Sequence, residues 1–119
     1  MSRPPHLQDG ADAEQRACAH LQAHGLRLVE RNYRCRAGEL DLIMDDGGTL
    51  VFVEVRYRRS GRYGGGLGSI DTRKQQRIVT AATWYLTSTD NHRRPCRFDV
   101  VGVGADGDGL EWIPDAFRP

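Results

Sequence analysis

Residues 38–57 read GELDLIMDDGGTLVFVEVRY, two strand-like segments around a turn signal. Leu40, Leu42 and Met44 alternate with Glu39, Asp41 and Ile43, so these three apolar residues are expected to share one face. Residues 50–57 also alternate with period two, but both of their faces are largely apolar. Between the two segments, Asp-Asp-Gly-Gly at 45–48 supplies the positive-φ positions of a tight reversal. The pattern therefore predicts an antiparallel hairpin. Its second strand is typical of the middle of a sheet covered on each side, which favours an α/β layer fold.

A helix is predicted on each side of this hairpin. Residues 11–24 are rich in helix formers and Gly25 supplies a stop, while a second helix is expected from an N-cap at Ser69 or Asp71 to about Thr87. Each helix carries a charge on the stripe that should face inward. The first stripe joins Glu14 to Ala17, Cys18 and Leu21, and the second joins Lys74 to Ile78, Ala81, Ala82 and Tyr85.

Short alternating segments predict three further strands, at residues 26–28, 97–103 and 110–113. A basic connection is expected at 32–37, and Pro114 is expected to end regular structure. The predicted order is α-β-β-β-α-β-β. We expect one domain at residues 10–119, after a flexible N-terminal tail at residues 1–9.

The composition of the 119 residues fits a single soluble globular domain. No apolar run approaches the length of about 18 residues that a transmembrane helix needs. The start of the chain shows no apolar stretch after its first positive charge, so we expect no secretory signal and a cytoplasmic protein. The three cysteines lie far apart without C-x-x-C spacing, and no structural zinc site is predicted.

Charge is distributed unevenly along the chain, although its net value is only +1. Residues 56–77 hold seven basic side chains against one acid, whereas residues 99–119 hold five acids against one base. Phosphate groups would be attracted to the first region and repelled by the second. The charge pattern therefore favours nucleic acid as a partner of the first region.

Acidic side chains on the two hairpin strands are the strongest functional signal. Such acids are costly at strand centres unless they are paired or bind a metal. Alternation puts Glu54 and Arg56 on one face, and Asp41 on the neighbouring strand reaches the same edge. Converging carboxylate oxygens suit Mg²⁺ or Mn²⁺. The alternative is that Asp41 and Glu54 form ion pairs on a solvated face, but Leu50 and Phe52 beside Glu54 favour a semi-buried acid.

Five runs of the sequence carry a resemblance to a known family: GELDLI at 38–43, VFVEVRYR at 51–58, KQQR at 74–77, RFDVV at 97–101 and DAF at 115–117. Together they resemble the YraN-type family of uncharacterised bacterial proteins over roughly residues 10–118. That family is similar to Holliday-junction resolvases and other restriction-endonuclease-like nucleases of the PD-(D/E)xK type. The resemblance implies a restriction-endonuclease-like fold, with a mixed central sheet flanked by helices.

The resemblance also implies roles for individual residues. Asp41 matches the first metal-binding acid of the motif, Glu54 the second, and Glu14 the helix acid of the junction-resolving branch. Arg56 stands in the motif's lysine position, where a guanidinium group cannot give up a proton. Lys74, the only lysine of the chain, is the candidate substitute. The alternative is a lysine that snorkels to solvent from the first turn of its helix.

The combined prediction is a nuclease that depends on Mg²⁺ or Mn²⁺ and cleaves structured or branched DNA. Its catalytic residues would be Asp41, Glu54, Arg56 and Lys74, with Asp41, Glu54 and Glu14 as the metal-binding acids. The nucleic-acid-binding residues would be Arg58, Arg59, Arg62, Tyr63 and Arg77, with Tyr63 either stacking on an unpaired base or lying as an exposed loop aromatic.

Two other functions stay open at this point. The first is a DNA-binding module that keeps the nuclease fold but has weak or no catalytic activity, and Arg56 is the feature that keeps it open. The second is a scaffold whose arginines bind protein partners, which leaves Glu14, Asp41 and Glu54 unexplained. The sequence also leaves open RNA as the substrate and a homodimer as the oligomeric state.

Overall fold

The computed structural model of the chain describes residues 5–58, 70–104 and 109–119, with side chains described for 10–57 in the first of these ranges. These residues form a mixed α/β fold of two helices and five strands. The elements are α1 Pro5–Ala23, β1 Arg27–Cys35, β2 Gly38–Asp46, β3 Thr49–Arg58, α2 Thr72–Ser88, β4 Cys96–Gly104 and β5 Leu110–Phe117. The predicted order α-β-β-β-α-β-β is confirmed.

The five strands form one mixed sheet in the order β1-β2-β3-β4-β5. Neighbouring strands are antiparallel except β3 and β4, which run parallel and are connected through α2. A parallel neighbour needs such a crossover, because the chain has to return to the same end of the sheet. Strand β3 is therefore the central strand, as its two apolar faces predicted.

Two hydrophobic clusters cover the two faces of β3. On one face Phe52 packs with Tyr85 of α2, and their rings meet edge to face at 6.0 Å between centroids. On the other face Val53 packs in the cluster that contains Leu21 of α1. Because successive strand residues project to opposite faces, one helix covers each side of the sheet. Burying a side chain of this size contributes about 1.5–3 kcal/mol, so both faces stabilise the fold.

The predicted hairpin between β2 and β3 is confirmed. Asp46 pairs with Thr49, and between them Gly47 and Gly48 have φ values of 60° and 106°. Both values lie in the region that glycine adopts at little cost, as a tight two-residue reversal requires. Asp45 Oδ1 also accepts the Gly48 N–H at 2.8 Å, which fixes the turn from the side chain.

The helices match their predicted stripes but not all of their predicted ends. Helix α1 begins at Pro5, inside the segment expected to be a loose tail, because proline is well suited to the first turn of a helix. Helix α2 is capped by Asp71, whose carboxylate accepts the Lys74 N–H at 2.8 Å, and it ends at Ser88 close to the expected position. Neither helix, within the described residues, combines the length and apolar character needed to cross a membrane.

Strand β1 is longer than the predicted strand at 26–28, and the predicted connection at 32–37 is wrong for residues 32–35. Tyr33 pairs with Leu40 and Cys35 with Gly38, so the strand continues almost to the turn. The sequence pattern did not reveal the full length of this strand because β1 lies at the edge of the sheet. Most of its side chains, including Arg34, are exposed and show no apolar alternation.

Strand β5 continues through Pro114 to Phe117, so the prediction that Pro114 ends regular structure is wrong. Proline is tolerated there because β5 is the other edge strand, pairing only with β4. The register shifts opposite Asp99, which is buried. The Asp99 carboxylate accepts hydrogen bonds from the Asp115 N–H and from Trp112 Nε1, both at 2.9 Å. A side chain on β4 thus replaces the strand bonds that Pro114 interrupts.

Candidate functional site

The candidate site lies where β2 and β3 diverge. Their pairing extends from the hairpin turn as far as Leu42 opposite Val53. Beyond that point β2 remains paired with β1, and β3 remains paired with β4. At this fork Asp41 Oδ2 accepts the Val55 backbone N–H at 2.8 Å. A carboxylate therefore occupies the position that a strand carbonyl would otherwise take, and the backbone of β3 fixes its orientation.

Side-chain alternation is interrupted at Asp41. Leu40 packs in the cluster beneath α2, whereas Leu42 packs in the cluster beneath α1. The expectation that both leucines share one face is therefore wrong. On the neighbouring strand β1, Asn32 has a φ of 53°, and Tyr33 beyond it packs on the α2 side. Asp41 thus lies where the two strands change the face to which their side chains project.

The carboxyl group of Glu54 lies close enough to that of Asp41 to raise the pKa of Asp41 through its charge and through a side-chain hydrogen bond. Burial is the main effect that raises the pKa of Asp41 from 3.8 to about 8. The negative charges of Glu54 and Glu14 and the shared hydrogen bond act in the same direction, while the Val55 N–H opposes them. The pair therefore retains a proton at neutral pH, and a cation could replace that proton.

Lys74 extends from α2 to the Glu54 carboxylate. Its Nζ lies 3.5 Å from Glu54 Oε2, and the two side chains are 40% and 15% exposed. The predicted inward position of Lys74 is confirmed, because its ammonium group faces an acid of the site. A pocket of about 300 Å³ opens beside the pair, lined by Glu54, Arg56, Ile70, Asp71 and Lys74. Arg56 shares this pocket with Glu54, in agreement with strand alternation.

Glu14 reaches the site from α1, on the other side of the sheet. Burial raises its pKa and the charge of Glu39 adds to the effect, while the Asn32 side chain and two nearby arginines lower it. Its own charge helps to raise the pKa of Asp41. Even so, within the described residues no set of three or more His, Cys, Asp or Glu side chains is arranged to hold a metal ion. The role of Glu14 as a metal ligand therefore stays a prediction.

Only part of the predicted nucleic-acid surface falls within the described residues. Arg77 is exposed on α2, close to the start of β2, where a Cβ on Gly38 would lie 3.7 Å from Arg77 Cβ. Arg58 ends β3, but its side chain lies outside the described residues, as do the whole of Arg59, Arg62, Tyr63 and the alternative N-cap Ser69. The roles of these residues in binding stay predictions.

Sequence reasoning missed the contribution of β1 to this site. The side chains of Asn32, Arg31 and Arg34 all lower the pKa of Glu14. The signal for Asn32 was present, since asparagine is among the few residues besides glycine that adopt positive φ readily. The contribution of Asn32 was missed because residues 32–37 were interpreted as a connection. A connection, unlike a strand, does not predict which side chains face the site.

Comparison with known proteins gives a consistent result over nearly the whole chain. The model of the Uncharacterised protein family UPF0102 matches residues 13–103. A UPF0102 protein of Nitrosococcus oceani is 52% identical over 121 residues, covering 99% of this chain and 98% of its own. A UPF0102 protein of Pseudomonas fluorescens strain Pf-5 is 54% identical over 112 residues, with 91% of each chain covered. One from Alcanivorax borkumensis is 49% identical, covering 91% of this chain and 90% of its own.

Proposed function

We propose that this chain, which belongs to the uncharacterised protein family UPF0102, is a divalent-metal-dependent nuclease. It hydrolyses phosphodiester bonds in structured or branched DNA. The proposal includes a restriction-endonuclease-like fold of the PD-(D/E)xK type, supported by a mixed five-stranded sheet with one helix on each face. It also takes the YraN-type resemblance as a guide to the residues that act.

One observation carries the proposal: the carboxyl groups of Asp41 and Glu54 lie close together at an open fork of the sheet, with the pKa of Asp41 raised to about 8. Two acids held against each other in a largely buried position weaken a fold, since one of them has to be neutralised. A purely structural role would be served equally well by an amide in either position. A site that binds a divalent cation needs both carboxylates.

The chemistry of the donor set fits Mg²⁺ or Mn²⁺. These ions prefer carboxylate oxygens, and Mg²⁺ typically takes one or two of them and completes its octahedron with water and phosphate oxygens. Asp41 and Glu54 would hold the ion, and Glu14 would hold a second ion or orient a water molecule. When bound, the cation supplies Lewis acidity and neutralises charge on the phosphate oxygens.

The surrounding residues orient the two acids and the substrate. The Val55 N–H fixes Asp41, and Lys74 at 3.5 Å holds Glu54 from α2. In this proposal Lys74 takes over the task of the motif's lysine, orienting or activating the attacking water. Arg56 lines the same pocket and contributes a fixed positive charge to the non-bridging phosphate oxygens as negative charge develops. Arg56 cannot serve as the base.

A second candidate function is a DNA-binding module that keeps this fold without efficient cleavage. The observation that favours it is Arg56, an arginine where the motif has the lysine assigned to the water. The two functions share the same partner and the same binding surface. They differ in whether any divalent cation supports turnover.

The test is cleavage of a four-way junction, a flap and a linear duplex with Mg²⁺ or Mn²⁺ at neutral pH. We expect the branched DNAs to be cleaved, with Asp41→Ala and Glu54→Ala losing the most activity and Arg56→Ala the next most, whereas Arg56→Lys should be the least harmful change and keep or raise the activity. The matched control is Glu111→Gln, which neutralises an exposed acid on β5 and should leave the rate unchanged.

Binding of Mn²⁺, followed by calorimetry without DNA, gives a second readout that does not depend on turnover. We expect one Mn²⁺ site in the unaltered protein, lost in Glu54→Gln. Cleavage that survives Glu54→Ala intact would assign the activity to a contaminant or to another site. DNA binding without cleavage under either cation would instead support the binding module.

A further inference from the structure

Arginines at the hairpin-turn end of the sheet are engaged in ion pairs within the chain. Asp45 Oδ2 lies 2.9 Å from Arg27 and 3.0 Å from Arg94. Arg97 lies 2.8 Å from Asp46. Because acids of the same protein already neutralise these side chains, this end of the sheet attracts phosphate groups weakly.

Three other arginines are located at the opposite end, around the turn that joins β1 to β2. We call them the turn-side basic surface: Arg36 in the turn, and Arg73 and Arg77 on α2. All three are exposed. The two sides are close, since a Cβ on Gly38 would lie 3.6 Å from the Arg77 carbonyl oxygen. Arg73 and Arg77 are four residues apart and so lie on the same face of the helix.

These three side chains are available to an external anion. Arg34 lies at the same end of the sheet, but it alternates with Tyr33 and Cys35, which pack beneath α2, so it projects to the α1 side, where its Nε lies 3.3 Å from Glu39 Oε2. Among the described residues, Arg36, Arg73 and Arg77 have no carboxylate within ion-pair distance. The surface therefore has a net positive charge that these ion pairs do not neutralise.

The turn-side basic surface lies close to the candidate site. Gly38 precedes Asp41 by three residues of strand, about 10 Å. Arg77 follows Lys74 by three residues of helix, about 5 Å. One strand of a DNA duplex advances about 3.4 Å per nucleotide along the axis, so a backbone held at the turn lies within about three nucleotides of the carboxylate pair.

We propose that the turn-side basic surface binds the phosphodiester backbone of DNA within about three nucleotides of the bond held at Asp41 and Glu54. The identity of the ligand rests on the proposed nuclease function. The contacts are made to phosphates, so they carry no sequence information and weaken as counterions are added. The surface therefore determines the length of DNA that the protein contacts beyond the bond that it attacks.

The experiment measures fluorescence anisotropy of a labelled four-way junction and a labelled duplex, in EDTA so that no cleavage occurs, over a range of salt. The double variant Arg36→Ala/Arg73→Ala removes two exposed charges without breaking a described ion pair. We expect its affinity to fall about tenfold per arginine at 0.1 M salt, and the salt slope to decrease by about two. Arg93→Ala, an exposed arginine at the hairpin-turn end, is the matched control and should change neither.

The outcomes separate this inference from the proposed function. If the unaltered protein cleaves DNA but the double variant keeps its affinity and salt slope, the surface is wrongly assigned and the nuclease proposal stands. If no cation supports cleavage but the double variant binds DNA more weakly, the surface is supported and the nuclease proposal fails. An equal loss in Arg93→Ala would show a general charge effect and overturn the inference.

Discussion

Replacing Asp41 by Asn tests the physical origin of the site without any substrate. The change is nearly isosteric, and the amide oxygen can still accept the Val55 N–H that Asp41 Oδ2 accepts at 2.8 Å. Its amide group can donate to the Glu54 carboxylate, so the fork should keep its shape. The substitution removes an ionisable group. Burial and the charge of Glu54 raise the pKa of this group from 3.8 to about 8.

The sign of the effect follows from proton binding. A carboxyl group whose pKa is higher in the folded than in the unfolded chain binds its proton more tightly when folded. The metal-free protein should therefore lose stability as the pH rises from about 4 towards 8. The loss accumulates at up to about 1.4 kcal/mol for each pH unit, or about 3 kcal/mol between pH 5 and pH 7. Asp41→Asn should lack this part of the pH dependence.

The assay is urea unfolding in EDTA at pH 5, 6, 7 and 8 for both proteins. We expect the variant to gain up to about 3 kcal/mol relative to the unaltered protein between pH 5 and pH 7. Asp45→Asn is the control, because the Gly48 N–H and the Arg94 guanidinium lower the pKa of Asp45, so this group does not titrate between pH 5 and pH 8 and the curve of Asp45→Asn should run parallel to that of the unaltered protein. Parallel curves for the unaltered protein and Asp41→Asn from pH 5 to pH 8 would refute this explanation of the carboxylate pair.

Three further changes address the residues around the pair. Arg56→Lys should keep or raise single-turnover cleavage, whereas Arg56→Ala should lower it about 10²- to 10³-fold, as the loss of a donor to a developing anion does. Lys74→Ala should lower the cleavage rate at least tenfold because Glu54 loses its ion-pair partner, and Lys74→Arg should retain part of the rate. An unchanged rate in Lys74→Ala would mark Lys74 as a surface cation. Asp99→Ala should lower the free energy of unfolding by about 2–4 kcal/mol in urea, since it leaves Trp112 Nε1 and the Asp115 N–H without their acceptor and Arg97 with Asp46 alone. A loss below about 1 kcal/mol would argue against that role.

The sequence was most informative where one local pattern determines the structure. Gly47 and Gly48 fix the hairpin, and the apolar alternation around Phe52 fixes β3 as the central strand. Once the hairpin register is set, Asp41 and Glu54 have to meet, because they continue the pairing that reaches Leu42 and Val53. The approach of the two acids was therefore predictable, although the raised pKa of Asp41 was not.

The features of the fold that the sequence did not predict depend on contacts that no local pattern encodes. Strand β1 is mostly exposed at the sheet edge, so its polar sequence resembles a connection. The change of face between Leu40 and Leu42 coincides with the positive φ of Asn32 on another strand. Strand β5 continues past Pro114 because the buried Asp99 supplies an acceptor from β4. In each case a neighbour distant in sequence decides the outcome.

The parallel pairing of β3 with β4 also has a consequence for how the chain folds during synthesis. Strands β1, β2 and β3 are joined by short turns and can pair as soon as they are made. The parallel partner of β3 begins only at Cys96, after α2. Until then β3 is an exposed edge that carries Val51, Phe52 and Val53, the kind of apolar edge that recruits other chains. A nascent chain is therefore most prone to aggregation after β3 has formed and before β4 has emerged, and the strand at risk is the one that carries Glu54.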